Sequence, residues 1–557
     1  MNGIETSFQF VFAMALMLGV VVTVHELGHF WAAKACGVRV LKFSIGFGNP
    51  IGFGRFRLRW LKNGTEYVLA WFPLGGFVKM LGEAIDDEAN ELRTATPPAD
   101  SLAAQPLWKK LVILLAGPAM NLVLPVVVMA GSLWVGIERS DNSIGAVEAG
   151  SPAAAAGILP GDRVLTLDGK PIVFWDDFER AVREKPGAEL TLSIGRGDER
   201  LEKKLAVTER AGVDLLGQKS DVGWLGLQHF RQSATLGILA RDAKAARAGL
   251  RSGDRVVAVN GAPVEDWTAF ASAYAAAPAG EVTLRVARGD GPDAKEQDVR
   301  APALGDTAAL GVIPAVVLVD AVTAGMPAAE AGIEKGDLLV ALDGAPVGSF
   351  ATFRETVLAS GGRPLEVTIA RGGETRTVRL EPRLAQATPD DVQEQYLIGI
   401  AAVNAILPGG TAIDRVRNPL VALPRSVGAT VETTGAFLVG LKKIASGDIS
   451  RRSIGGPIEI ARQSHLALQR GWESFVSLLV IISINLGVMN LLPIPILDGG
   501  QALLFTIEGM RGGSLPLRAR EWVQQAGLFL LVGLMGFAFW NDVSKYWTSF
   551  FDWLHNL

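Results

Sequence analysis

The sequence predicts a polytopic α-helical membrane protein, of about four transmembrane helices with a membrane-associated β-hairpin or sheet, carrying three α+β units outside the bilayer. Three observations predict it. Mean hydropathy is +0.29 with 49% hydrophobic residues over 557 positions, high for a water-soluble chain and too long for one core. Four apolar runs approach the roughly 20 residues a helix needs to cross a bilayer. Between the second and third runs one pattern recurs three times. A net charge of -4 argues against nucleic acid as a partner, and the single cysteine, Cys36, excludes an internal disulfide framework and a Cys-rich zinc ribbon.

Residues 1–35 make the first span, whose apolar run at 8–24 leads into His25-Glu26-Leu27-Gly28-His29. No Lys or Arg precedes the run and no small-x-small site follows it, so it is expected to stay as an anchor rather than leave as a signal peptide. Segment 36–106 follows on the cytoplasmic side and ends in an Asp-, Glu-, Ala- and Pro-rich linker at 86–106; the family resemblance drawn below implies membrane-associated β-structure in it, with strands at 40–47 and 67–80. Eleven basic residues lie in 34–110 and none in 1–9, which puts that segment in the cytoplasm by the positive-inside rule. The second span is 107–138. Three units follow at 141–228, 229–313 and 314–403, then juxtamembrane amphipathic helices lying along the outer membrane face at 404–470. The third span, 471–500, ends in Leu497-Asp498-Gly499. A cytoplasmic loop at 501–522 with Arg511, Arg518 and Arg520 precedes the fourth span and tail, 523–557. Four spans leave both termini and the middle segment outside.

Each unit begins with an Ala-rich turn of helix and a Gly-Asp step, at Gly161-Asp162, Gly253-Asp254 and Gly336-Asp337. An alternating strand then closes on Asp168-Gly169, Asn260-Gly261 or Asp343-Gly344, dipeptides that suit a tight hairpin turn. An aromatic-containing helix follows at 175–182, 267–274 and 350–357, then a strand ending in Arg-Gly at 190–197, 282–289 and 365–372. A Leu-Gly-Leu, Leu-Gly-Val or Ile-Gly-Ile step comes last, at 225–227, 310–312 and 398–400. This order resembles the circularly permuted PDZ domains of bacterial proteases, whose groove beside the last strand receives peptide ends by strand addition.

The chemistry lies in the spans. His25 and His29 are four apart and project from one face of a helix, with Glu26 toward a neighbouring edge. Ionisable groups within a span cost about 2.5–3.5 kcal/mol each, so three in five residues require a compensating partner. One zinc ion supplies it, and a catalytic zinc takes three protein ligands plus an open position. Asp498 is the candidate third ligand. Glu26 is then placed as general base toward water in the open position, which predicts peptide hydrolysis. Pro493 and Pro495 remove backbone donors and break the helix, so the chain can turn and aim Asp498 inward. Asn490 is assigned to substrate contact, and Asn485 to either substrate or interhelical hydrogen bonding.

These clusters, with Gly46-Phe47-Gly48-Asn49-Pro50, Pro73-Leu-Gly-Gly-Phe-Val-Lys-Met80, Ala116-Gly-Pro-Ala-Met-Asn121, Gly456-Pro-Ile-Glu-Ile-Ala461 and Trp540-Asn-Asp-Val-Ser544, resemble the site-2 protease family of intramembrane zinc proteases (peptidase family M50), nearest its bacterial RseP type. The resemblance spans nearly the whole chain and implies His25, His29 and Asp498 as zinc ligands and Glu26 as catalyst. It implies that β-structure after the first helix, with Gly46, Phe47 and Gly48, can pair with an unwound substrate segment; Asn490, Asn485, Pro493 and Pro495 are the further candidate substrate-binding residues. Two features depart from the pattern: three PDZ units stand where two are usual, and Gln501 stands where His is common.

The function expected is site-2 cleavage in the bacterial cytoplasmic (inner) membrane, with the active site toward the cytoplasm and the PDZ units periplasmic. Substrates would be single-pass membrane proteins of the anti-sigma-factor kind, already cut by a site-1 protease, and signal-peptide remnants, with the PDZ array controlling access and lipid as the other partner. The competing reading is a membrane-anchored PDZ scaffold whose metal site is structural or vestigial. The complete set of three ligands plus Glu26 separates the two, since a scaffold has no use for a base beside an open metal position. A transporter is disfavoured by the absence of an inverted repeat.

Overall fold

The computed structural model describes residues 3–53, 56–82, 98–148, 150–213, 219–238, 240, 242–289, 294–347, 349–371, 374–386, 394–403, 405–446, 455–513 and 515–555. Residues 86–97 of the expected linker, and 447–454 of the segment expected as juxtamembrane helices, lie outside them. The chain divides into two compact units, one of 1–137 with 414–557 and the other of 138–413.

In the first unit, helix α1 (Gly3–Ala35) and helix α2 (Leu107–Val135) cross closely. Gly28 permits this, since a Cβ there would lie 2.3 Å from the Ala116 carbonyl oxygen. Between them in sequence lie strands β1 (Val40–Pro50), β2 (Arg59–Lys62) and β3 (Thr65–Met80), in the order β1-β3-β2. The end of β3 runs antiparallel to β1, with Val40 opposite Met80 and Ile45 opposite Gly76. Phe43, Val78 and Met80 bury one face with Ala33 and Ile113, while Phe56, Trp60, Leu61, Trp71 and Phe72 remain exposed. Sheet formation by an apolar, basic segment is thus anchored on α1 and α2.

Helices α3 (Pro419–Ser446), α4 (Pro457–Arg470), α5 (Trp472–Leu491), α6 (Asp498–Arg511) and α7 (Leu517–His555) complete the unit. Four stretches are long and apolar enough to cross a membrane: Gln9–Ala35, Leu107–Val135, Trp472–Leu491 and Arg518–Ser544. Several expectations change here. Helix α3, in the segment expected as amphipathic helices along the membrane face, packs on α2 and α5. Its buried Ala422, Ser426 and Thr430 are spaced by four, and small side chains on one stripe permit close approach. Thr430 Oγ1 reaches Met129 sulfur at 3.8 Å, and Phe437 packs against Val480, Ile484 and Val488. The loop expected from 501 is helical to Arg511, because the helix break falls earlier, at 492–497. His465 of α4 is buried and bonded to Gln469 at 2.9 Å. His229 is half-buried, with its ring nitrogens 3.0 and 2.9 Å from the carbonyl oxygens of Ser143 and Gly410.

The second unit holds three apolar clusters, built around Leu192, Leu284 and Val367. Each repeat forms a four-stranded antiparallel sheet covered by its aromatic-containing helix, Trp175–Arg183, Trp267–Ala275 or Phe350–Ala359. Asp168, Asn260 and Asp343 have φ near +50° ahead of a glycine, the conformation a tight hairpin turn requires. The recurring Asp and Arg are partners. Asp162, Asp254 and Asp337 are each buried at 1% exposure and accept from Arg196, Arg288 and Arg371, each 34 residues on, at 2.6–2.7 Å. The same carboxylates accept a backbone N–H at 2.9 Å. Each repeat is thus closed by the same buried carboxylate–guanidinium clasp.

Candidate active site

Three elements of the first unit converge. Helix α1 carries His25, Glu26 and His29; α2 packs against it; and the break after α5 delivers Asp498. The break runs through Leu492, extended at φ -64° and ψ 147°, and the next helix starts at Asp498. Glycine is required behind it, because a Cβ on Gly499 would lie 2.3 Å from the Leu491 carbonyl oxygen and one on Gly500 2.0 Å from that of Ile494. Asp498 sits in the first turn of α6, where the helix dipole favours an anion.

His25 Nε2 and His29 Nε2 lie 3.2 Å apart, and Asp498 Oδ2 stands 3.1 Å from the first and 3.5 Å from the second. Ligands held at about 2.0–2.1 Å on a tetrahedral ion are separated by about 3.3 Å, so the three atoms are spaced as a zinc site requires. Among the described residues this is the one group of three such side chains able to hold a metal. Both histidines are buried. Glu26 is half-buried, and Gly76 of β3 stands against it, where a Cβ would lie 3.3 Å from Glu26 Cγ.

Of the expected substrate residues, Asn490 comes to the site, its Nδ2 3.5 Å from His25 Nε2. Asn485 is half-buried on α5, and among the described residues no hydrogen bond joins it to the cluster. Pro493 and Pro495 form the break itself. Gly46 and Gly48 have φ of +89° and +93° on either side of Phe47, whose ring stacks on Phe77 at 6.3 Å. Gly75 leaves room for that ring, since a Cβ there would lie 2.1 Å from it.

Helix α2 contributes what the sequence reading left unassigned. Ile113, Gly117 and Asn121, spaced by four, face the two histidines. The Ile113 carbonyl accepts from His29 Nδ1 at 2.8 Å, so the Nδ1 proton is fixed and the Nε2 lone pair is free. A Cβ on Gly117 would lie 2.3 Å from His29 Nε2, so only glycine admits the ring. Asn121, fully buried, approaches His25 Nδ1 at 3.3 Å. Pro125 has no N–H to offer the Asn121 carbonyl, and Ser483 of α5 donates to it at 2.7 Å instead. The signal was present in the sequence as a polar residue inside an apolar run.

A profile of peptidase family M50 matches residues 13–534. A protein of Xylella fastidiosa (strain Temecula1), described as a candidate zinc metalloprotease, is 30% identical over 535 residues, 95% of this chain and 97% of its own. The regulator of sigma-E protease RseP of Escherichia coli (strain K12) is 28% identical over 532 residues, 95% of this chain and 97% of its own. Protease RseP of Yersinia pestis is 28% identical over 537 residues, 96% and 98% of the two chains. Among solved structures, the HtrA-type protease AlgW with a decapeptide covers 35% of this chain and 79% of that one at 13% identity and a TM-score of 0.11, too low to define a common fold.

Proposed function

The chain belongs to peptidase family M50 and is a zinc metalloprotease, and from that premise we propose that it performs site-2 cleavage of single-pass proteins within a bacterial inner membrane. The observation that carries this reading is the convergence of His25 Nε2, His29 Nε2 and Asp498 Oδ2 within 4.8 Å of one another, beside Glu26 and among helices long enough to span a bilayer. These three side chains are the proposed zinc ligands. When bound, zinc supplies a Lewis acid that polarises the scissile carbonyl and lowers the pKa of water to about 7. Glu26 accepts the proton of the attacking water and passes it to the leaving amine as the C–N bond breaks. Asn490 holds the substrate backbone at the site. A helical substrate hides its carbonyls in hydrogen bonds, so it must unwind, and β1 and β3 with Gly46, Phe47 and Gly48 are proposed to receive it by strand pairing.

The three repeats are read as PDZ units on the periplasmic side, acting as a filter that excludes substrates still bearing a bulky outer domain. Anti-sigma-factor-like proteins cut by a site-1 protease, and signal-peptide remnants, are the substrate classes this reading favours.

The test is purified Glu26→Gln enzyme with a single-pass substrate in lipid vesicles. Retained zinc with cleavage abolished is expected, whereas Asp498→Asn should weaken zinc binding as well. Retained proteolysis by Glu26→Gln refutes the base assignment. Deleting residues 141–382 tests the filter, which fails if trimmed and untrimmed substrates are still cut at unchanged relative rates.

A further inference from the structure

We infer that Asn121 is a positioning residue that fixes the tautomer of His25, with its amide oxygen as acceptor of the His25 Nδ1 proton. This rests on the zinc ligands proposed above. A neutral imidazole carries one proton, and a ring whose Nε2 lone pair faces the ligand cluster must carry it on Nδ1. A buried N–H without an acceptor costs about 1–3 kcal/mol, so an acceptor has to stand at Nδ1.

For His29 that acceptor is a backbone carbonyl, Ile113, at 2.8 Å. For His25 the side chain within hydrogen-bond reach of Nδ1 is Asn121, at 3.3 Å. Asn121 Nδ2 occupies the near position and Oδ1 is buried with no partner among the described residues. The two ends of a planar amide are interchangeable in shape. Either orientation leaves one amide atom unpaired, so the histidine decides between them: with Nδ1 protonated, the oxygen must be the near atom. The residue cannot drift away from this duty. Its own carbonyl is tied to Ser483 at 2.7 Å, and Gly487 of α5 packs against its Cβ. Thus one face of α2 orients both histidines, by a carbonyl at 113 and an amide at 121, and leaves room for the ring at 117.

The inference predicts that an acceptor alone suffices at 121. In full-length protein, Asn121→Leu keeps approximate size and removes the acceptor, while Asn121→Asp keeps an acceptor and removes the donor. Zinc retention would be measured by competition with a chelator, alongside Asp498→Ala as the control for the ligand set. Outer hydrogen-bond partners of metal-bound histidines are worth about 10–100-fold in affinity. Asn121→Leu should therefore lose zinc about 10–100 times more readily, and Asn121→Asp should hold it within a few-fold of wild type. Wild-type retention by Asn121→Leu overturns the inference, and so does equal loss in both variants, which would assign the amide a donor or packing role. If Asp498→Ala retains zinc, the ligand reading fails instead. Should either variant at 121 not fold, 15N-histidine NMR of the zinc-loaded wild-type enzyme decides: a protonated His25 Nδ1 is expected, and a protonated Nε2 overturns the proposal.

Discussion

Replacing Gly117 by alanine probes the site through one methyl group. The added Cβ would meet His29 at 2.3 Å from Nε2, 2.6 Å from Cε1 and 2.8 Å from Cδ2. Ordinary contact begins at about 3.4 Å, so the ring must retreat by about 1.1 Å (3.4 less 2.3) or the helices must part. Retreat strains the 2.8 Å bond to the Ile113 carbonyl and moves Nε2 away from His25 and Asp498. Overpacking of this kind costs about 1–3 kcal/mol, and a displacement of about 1 Å at a reacting centre lowers rate about 100-fold. Zinc content and cleavage of a single-pass substrate should fall together in Gly117→Ala. Gly131, on the same helix, has nothing within 4 Å of its would-be Cβ, so Gly131→Ala is the matched control. It should keep both properties and gain up to about 1 kcal/mol of helix propensity. Full zinc occupancy with cleavage within three-fold of wild type in Gly117→Ala would refute the reasoning.

Other consequences are independent of the metal. Asp337→Ala removes the buried partner of Arg371 and the acceptor for the Glu334 N–H; since Arg371 is a third exposed and can rehydrate, the loss should be about 2–4 kcal/mol, read as faster proteolysis of the third repeat with zinc retained. Asp542 of α7, fully buried, accepts from the N–H groups of Gly456, Ile458 and Glu459 at the start of α4; Asp542→Ala should lower the unfolding temperature in detergent, and an unchanged value would contradict the cap. Burial alone would raise the Asp141 carboxyl, but hydrogen bonds from Ser143 N–H and Oγ hold it below its ordinary value. A depressed acid stabilises above its unfolded pKa, so this contribution is present at neutral pH and fades below about pH 4; Asp141→Asn should flatten acid unfolding of the first repeat.

Much of the candidate metal site could be read along the chain because its signals are local. A helix repeats every 3.6 residues, so positions 25 and 29 share a face whatever surrounds them, and two prolines five residues or fewer before Asp498 break a helix without reference to a partner. The Asx-Gly turns of the repeats were legible for the same reason, since backbone conformation at φ near +50° is a property of the residue itself. For helix α3, amphipathicity says that a face is covered but not that α2 and α5 cover it. The surroundings of His465 were not legible, because they include Phe10, 455 positions away (465 less 10), as well as Gln469. The recurrence of Asp and Arg was visible along the chain, but their pairing across 34 residues was not.

The spans, the repeats and the identity of the groups that could bind metal are written in the chain, because hydropathy, periodicity and side-chain chemistry are local to it. That His25, His29 and Asp498 meet at 3.1–3.5 Å, that Gly117 makes room for the ring, and that Ile113 and Asn121 address the far nitrogens emerges with the packed fold. Those facts depend on which faces of α1, α2 and α5 meet, a choice fixed by packing between segments hundreds of residues apart.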